Sequence, residues 1–244
     1  MRTLSAAELL EIWEYGHAHS LAEGAMELLS AAQPEASRES LSDVSMGQRT
    51  GALLLLRELL FGRQMAAVVA CPRCAERLEL ILDTLELRSR GGENQKSEIS
   101  LRVGGYDLSF RLPTASQVRA AASQGDLALS RASLLQDCLR SAERDGAALS
   151  ADQLPPAVVE AVAESMAQAD PLADIQIAVT CPACTHHWRA AFDILSFLWS
   201  ELEVWAWRML SDVHTLASAY GWGERDILGL SPLRRQFYLE MVGA

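Results

Sequence analysis

Two Cys-Pro-x-Cys segments, Cys71-Pro72-Arg73-Cys74 and Cys181-Pro182-Ala183-Cys184, hold four of the five cysteines in this chain of 244 residues. A CxxC knuckle brings two thiolates within reach of one tetrahedral ion, and two knuckles complete a closed four-cysteine site. Each lies between short stretches of β pattern, residues 66–70 and 78–87 around the first, 175–179 and 188–192 around the second. Two parts of the chain far apart in sequence must therefore meet at one point. This is the layout of a zinc ribbon, with Cys71, Cys74, Cys181 and Cys184 as ligands of one structural zinc ion. Clamping a loop of about a hundred residues removes roughly 4–5 kcal/mol of unfolded-chain entropy, by analogy with a covalent cross-link.

Other uses of the cysteines fit less well. Met1 leads into Leu4-Ser5-Ala6-Ala7-Glu8 without the basic and apolar regions of a signal peptide. A bacterial cytoplasmic setting is expected, where a disulfide framework is not. A redox motif asks for one CxxC at a helix start, not two after strands. His186 and His187 stand close behind Cys184, but a local site with them lacks a fourth ligand. They read as turn or strand residues, with Trp188 packing over the knuckle. Cys138 reads as a small core residue on a helical apolar face.

Half of the residues are hydrophobic, ample for a core. No apolar run has transmembrane length, because Arg57 and Glu58 interrupt the stretch 51–56. The formal net charge is -11, which argues against a protein that grips phosphate backbone. From Cys71 to Arg111 seven basic residues are matched by seven acids, so the first knuckle carries no basic patch. Lys96 is the only lysine, and with the abundant alanine and leucine this suggests a GC-rich bacterial genome.

The N-terminal third carries capping boxes at Ser5-x-x-Glu8, Ser20-x-x-Glu23 and Ser45-x-x-Gln48. They open three helices, the second stopped near Pro34 and the third ended by Gly62. After the first knuckle comes a polar loop at 91–96, within the one stretch (88–98) expected to be mobile. Strands at 99–103 and 106–111 follow, joined by Gly104-Gly105 as a hairpin turn. Helices are expected at 115–123, 130–144 and 156–168. The second knuckle hairpin leads into a long helix at 194–220 with Gly221 at its end, and a last helix runs from Ser231-Pro232 to about 242. Apart from the paired knuckle hairpins no repeat is evident.

The expected fold is a single α+β domain over 1–244, mostly helical, with two distant β-hairpins forming a four-cysteine zinc ribbon. Its parts are the first knuckle hairpins at 66–112, a helical insertion at 113–170, the second knuckle hairpin at 171–193 and C-terminal helices at 194–244.

No HExxH, GxSxG or P-loop stands in the chain, and paired acids such as Glu201 and Glu203 read as a solvated face. A non-catalytic protein is expected. On the long helix Leu198, Leu202, Trp205, Met209, Val213, Leu216 and Tyr220 form one apolar stripe, with Trp199, Trp207 and Leu210 outside it. Such a helix is either deeply buried or gripped by a partner.

The segment from His214 to Leu239 contains Tyr220-Gly221-Trp222, the acidic start Glu224-Arg225-Asp226, and Arg234-Arg235-x-x-Tyr238-Leu239. It resembles small baseplate-associated proteins of contractile phage tails, the T4-type baseplate family and its relatives in bacterial contractile injection clusters. The knuckles with their strand flanks, and Leu112-Pro113-Thr114, look like the zinc-bearing bacterial members. The resemblance implies a structural or assembly role in a baseplate, with baseplate or tail proteins as partners and no catalytic residues. It makes Trp222, Arg234, Arg235 and Tyr238 candidate partner-binding residues. The alternative is a zinc-ribbon regulator touching nucleic acid or the transcription machinery, which the charge balance opposes.

Overall fold

The computed structural model describes residues 1–91 and 98–243, so the loop expected at 91–96 lies, from Gly92 onward, outside the described residues. In chain order the elements begin with α1 (Ala6–Ala18), α2 (Leu21–Ala32), α3 (Arg38–Ser42), α4 (Met46–Phe61), β1 (Gln64–Ala70), β2 (Arg77–Asp83) and α5 (Thr84–Ser89). Then come β3 (Ile99–Val103), β4 (Tyr106–Phe110), α6 (Ala115–Ala122), α7 (Leu127–Cys138), β5 (Leu139–Arg144), β6 (Ala147–Ala148) and α8 (Pro156–Ala169). The chain closes with β7 (Ile175–Thr180), β8 (His187–Phe192), α9 (Ile194–Tyr220), α10 (Glu224–Leu228) and α11 (Pro232–Gly243). The fold is mostly helical α+β, as the sequence implies. It divides into two compact units, one of Met1–Ser37 with Asp193–Ala244, the other of Arg38–Phe192.

The first unit is helical. All three N-terminal capping boxes form, at Ser5, Ser20 and Ser45, because each needs only four consecutive residues; the third opens α4 in the other unit. Helices α1 and α2 pack on α9, burying Leu9, Ile12, Trp13, Leu28 and Leu29. On α9 the stripe Leu198, Leu202, Met209 and Leu216 is buried, while Tyr220 at its end is exposed. Trp199, off that stripe, meets the glycines of α1 and α2: a Cβ on Gly24 would lie 2.7 Å from its ring. Glu203 is half-buried and bonded rather than standing free on a solvated face. Its carboxylate accepts from Trp13 Nε1 at 2.7 Å and Trp207 Nε1 at 2.9 Å, and lies 2.9 Å from His17 Nε2. The Trp13 hydrogen bond leads the causes that hold this carboxyl below its ordinary range.

The second unit carries the strands. β3, β4, β5 and β6 form one antiparallel sheet in that order, with Gly104 and Gly105 both at positive φ in the β3–β4 turn. One face of the sheet, Tyr106, Leu108, Phe110 and Ala142, packs on Leu154, Val158 and Val162 to make one core cluster of the unit. The helix expected at 130–144 stops at Cys138, and residues 139–144 form β5 instead. The reason is tertiary. β4 offers an open edge, and Ser141 pairs with Ser109 and Ala142 with Leu108. The strand expected over 78–87 likewise ends at Asp83, whose side chain accepts from the Leu85 and Glu86 amides and starts α5.

Two buried charges secure the ends of α4. Arg57 donates to the Gly62 and Gln64 carbonyls, both at 2.7 Å, just beyond the end of α4. Asp170, 2% exposed, accepts from the Gly47 amide at 2.9 Å, so its negative charge sits at the positive N-terminus of α4. Gly47 permits that approach, since a Cβ there would fall 1.7 Å from Asp170 Oδ1.

Candidate metal centre

The two knuckles fold by the same local rules. In the first, the Cys71 amide donates to the Glu76 carbonyl at 2.8 Å and the Ala75 amide to the Cys71 carbonyl at 2.9 Å. In the second, Cys181 donates to His186 and Thr185 to Cys181, both at 2.9 Å. The residue after the second cysteine is left-handed in both, Ala75 at φ 60 and Thr185 at φ 56.

The likeness runs further than the sequence reading suggested. β1 pairs with β2 and β7 with β8 in the same register, each residue of the second ribbon standing 110 positions after its counterpart. At that offset Asp83 matches Asp193, and both carboxylates cap the helix that follows. Met65 and Ile175 are the matching buried anchors at the strand starts. The side chains differ widely, Leu78 against Trp188 and Leu82 against Phe192, and within the ribbons only the Cys-Pro-x-Cys, the aspartate twelve residues after its first cysteine, and Val69 with Val179 are identical.

The ribbons bring Cys71, Cys74, Cys181 and Cys184 together, with all four sulfurs within 4.8 Å of one another. Cys71 Sγ lies 3.7 Å from Cys184 Sγ, and Cys74 Sγ 3.6 Å from Cys181 Sγ. A tetrahedral ion with metal–sulfur bonds of about 2.3 Å requires sulfur–sulfur edges of roughly 3.8 Å, so the donors fit such an ion. All four cysteines are free thiols, and these separations are far beyond the ~2.05 Å of a disulfide. His186 instead stacks on Trp188, and His187 Nδ1 lies 2.8 Å from Thr180 Oγ1. Neither joins the cluster. Cys138 is buried at the end of α7, where burial first and then Asp137 push its thiol up to about 11.

The electrostatics suit a cation. Burial opposes ionisation of Cys71, but the Arg73 and Cys74 amides and hydrogen bonds with Cys184 and Cys74 bring it down to about 7. At Cys74 the Glu76 amide favours the thiolate but is outweighed by Cys184, burial, Cys181 and Cys71, which push the thiol up to about 12. Cys71 forms a thiolate readily, whereas Cys74 and Cys184 resist. A bound dication removes that resistance and deprotonates coordinating thiols outright. With four protein sulfurs around it such an ion has no open position for substrate.

The C-terminal candidates lie in the helical unit. Trp222 stacks on Tyr220 with ring centres 4.6 Å apart, and Tyr238 meets Trp222 edge-on at 4.8 Å, closing the turn after α9. Arg235 is not an exposed charge: it is 8% exposed and pairs with Asp212 at 3.3 Å. Arg234 is exposed beside Leu233, Phe237 and Met241, which recur every four residues along the open face of α11. Among the described residues no helix is long and apolar enough to cross a membrane.

The fold and the cluster define a mostly helical α+β protein with a four-cysteine candidate metal site. The family model of the T4 bacteriophage base plate protein matches residues 7–199, and the chain belongs to that family. Searches of curated proteins and of solved structures found no match. The matched span contains both knuckle ribbons but ends inside α9. Of the segments that carry the resemblance, the knuckles and Leu112-Pro113-Thr114 lie inside the matched span and 214–239 lies beyond it.

Proposed function

We propose that the protein is a non-catalytic, zinc-stabilised component or assembly factor of the baseplate of a contractile phage tail-like particle, acting through contacts with other baseplate or tail proteins. The family match over 7–199 carries this reading. The thiolate cluster supports it, because a closed tetrahedral site suits a structural zinc ion and offers no vacant position for catalysis. Cys71, Cys74, Cys181 and Cys184 would hold the ion. Its part is to join two ribbons that the chain separates by a hundred or so residues, and the residues themselves align the sulfurs through the amide hydrogen bonds of each knuckle.

The contact surface in this reading is the open face of α11, Leu233, Arg234 and Phe237, with Trp222, Arg235 and Tyr238 holding that helix in place behind it. An affinity-tagged chain expressed with its neighbouring genes should co-purify with baseplate proteins, and its deletion should abolish assembled, sheathed particles. Normal particles from the deletion strain would remove the assembly role. Salt-sensitive binding to DNA instead of tail proteins would favour a nucleic-acid regulator.

A further inference from the structure

The four cysteines differ in their exposure. The first cysteine of each knuckle is buried, Cys71 at 2% and Cys181 at 0%, whereas Cys74 is exposed and Cys184 half-buried. Two sulfur pairs cross from one ribbon to the other and join a more exposed cysteine to a buried one: Cys74 to Cys181 at 3.6 Å, Cys184 to Cys71 at 3.7 Å. An oxidant arriving from solvent meets Cys74 first. The sulfur waiting behind it belongs to the opposite ribbon.

We propose that Cys74 is a site of reversible oxidation by hydrogen peroxide, and that its oxidation ends in a disulfide with Cys181 that joins the two ribbons in place of the metal ion. This rests on the reading of the cluster as a zinc–thiolate centre. In the first step Cys74, a thiolate when it serves as a ligand, attacks one peroxide oxygen, the S–O bond forms, the O–O bond breaks and hydroxide leaves. The sulfur has lost two electrons to the peroxide and stands as sulfenic acid. In the second step the Cys181 thiolate attacks that sulfur, the S–S bond forms, the S–O bond breaks, and hydroxide leaves again. Two thiolates have become one disulfide, a poor ligand, and the ion keeps only Cys71 and Cys184. A second peroxide can join those two by the same steps.

The connectivity gives the chemistry its structural sense. A bond within one knuckle would leave the ribbons unlinked once the ion departed. A bond between Cys74 and Cys181 keeps them together through the cycle, and a thiol reductant with zinc restores the starting state.

The experiment adds hydrogen peroxide in small portions to the reduced, metal-loaded protein. Released zinc is read with a chromogenic chelator, free thiols are counted, and disulfides are mapped by mass spectrometry after alkylation and proteolysis. The expected result is two thiols lost as the single zinc ion leaves, with Cys74–Cys181 the first bond formed and Cys138 still alkylated. The Cys138→Ser variant, which keeps all four ligands, should behave identically. A first bond within a knuckle, Cys71–Cys74 or Cys181–Cys184, would overturn the proposal, as would prior reaction at Cys138 or inertness to peroxide. If the purified protein holds no zinc, the metal reading falls by itself. Zinc-loaded protein that forms a different first bond overturns the oxidation proposal alone.

Discussion

Trp199 fills the notch left by Gly16: a Cβ built on that glycine would stand 1.9 Å from the indole Cη2. Gly24 faces the same ring, and its own Cβ would lie 3.6 Å from the Gly16 Cα, so α1, α2 and α9 converge where two helical residues lack side chains. Gly16→Ala should therefore destabilise the helical unit by about 1–3 kcal/mol through overpacking. The gain in helix propensity, near 1 kcal/mol, offsets only part of that. Combining it with Trp199→Leu should recover stability relative to the sum of the single losses, read by chemical denaturation. Strict additivity would show that the two residues do not share one space.

Thr185 occupies the left-handed position of the second knuckle, where a β-branched residue carries roughly 1–2 kcal/mol of strain. Its hydroxyl donates to the Cys184 carbonyl at 2.7 Å and recovers part of that cost. Thr185→Gly should raise the melting temperature of the metal-bound protein by the equivalent of up to about 1 kcal/mol, after the greater unfolded-state entropy of glycine. A lower melting temperature with unchanged metal content would mean that the hydroxyl contributes more than the strain removes.

Metal analysis of the reduced protein should give about one zinc per chain, since four thiolates complete one tetrahedral site. Cys181→Ser should abolish binding and the cooperative melting of the ribbon-bearing unit together, because binding energy at such sites is largely folding energy. A variant without zinc that melts like the parent would exclude a structural role for the ion.

Arg234 and Arg235 are neighbours with opposite roles. Arg234→Glu changes an exposed charge and should alter stability by less than about 0.5 kcal/mol, while weakening capture of the baseplate partner. Arg235→Glu sets a carboxylate against Asp212 in a buried position and should cost roughly 3–5 kcal/mol. The two melting curves separate docking from folding. Equal stability of both variants would contradict the Arg235–Asp212 pair.

Glu8 is held at about 2, first by the Arg2 guanidinium and then by the Ser5 amide. A depressed carboxyl stabilises the fold above its unfolded pKa, near 4.3, and that contribution is lost as pH falls toward 2. In Arg2→Ala the Glu8 midpoint should move upward, and fraying at the start of α1 should begin at higher pH. Carboxyl NMR titration of both proteins reads this directly; an unmoved midpoint would show that Arg2 is not the cause.

What the sequence determined by itself was whatever its physics keeps within a few residues. Ser5, Ser20 and Ser45 each open a helix because hydroxyl and N3 side chain satisfy neighbouring backbone groups without help from the rest of the chain. The knuckles are legible for the same reason, since ligand spacing is a local property, and Gly221 ends α9 at φ 70 as its position implies. Tertiary structure decided what depends on a distant surface. Residues 139–144 carry no pattern that separates helix from strand, and the open edge of β4 makes them β5. Arg235 looks in sequence like its exposed neighbour, and only the placement of α11 on α9 sets it against Asp212. Gly16 reads as a helix weakness until Trp199, far along the chain, occupies the space it leaves. The meeting of Cys71 with Cys184 depends on both kinds of information: short-range rules build each knuckle, and the folding of the unit that carries both ribbons brings the two halves of the centre face to face.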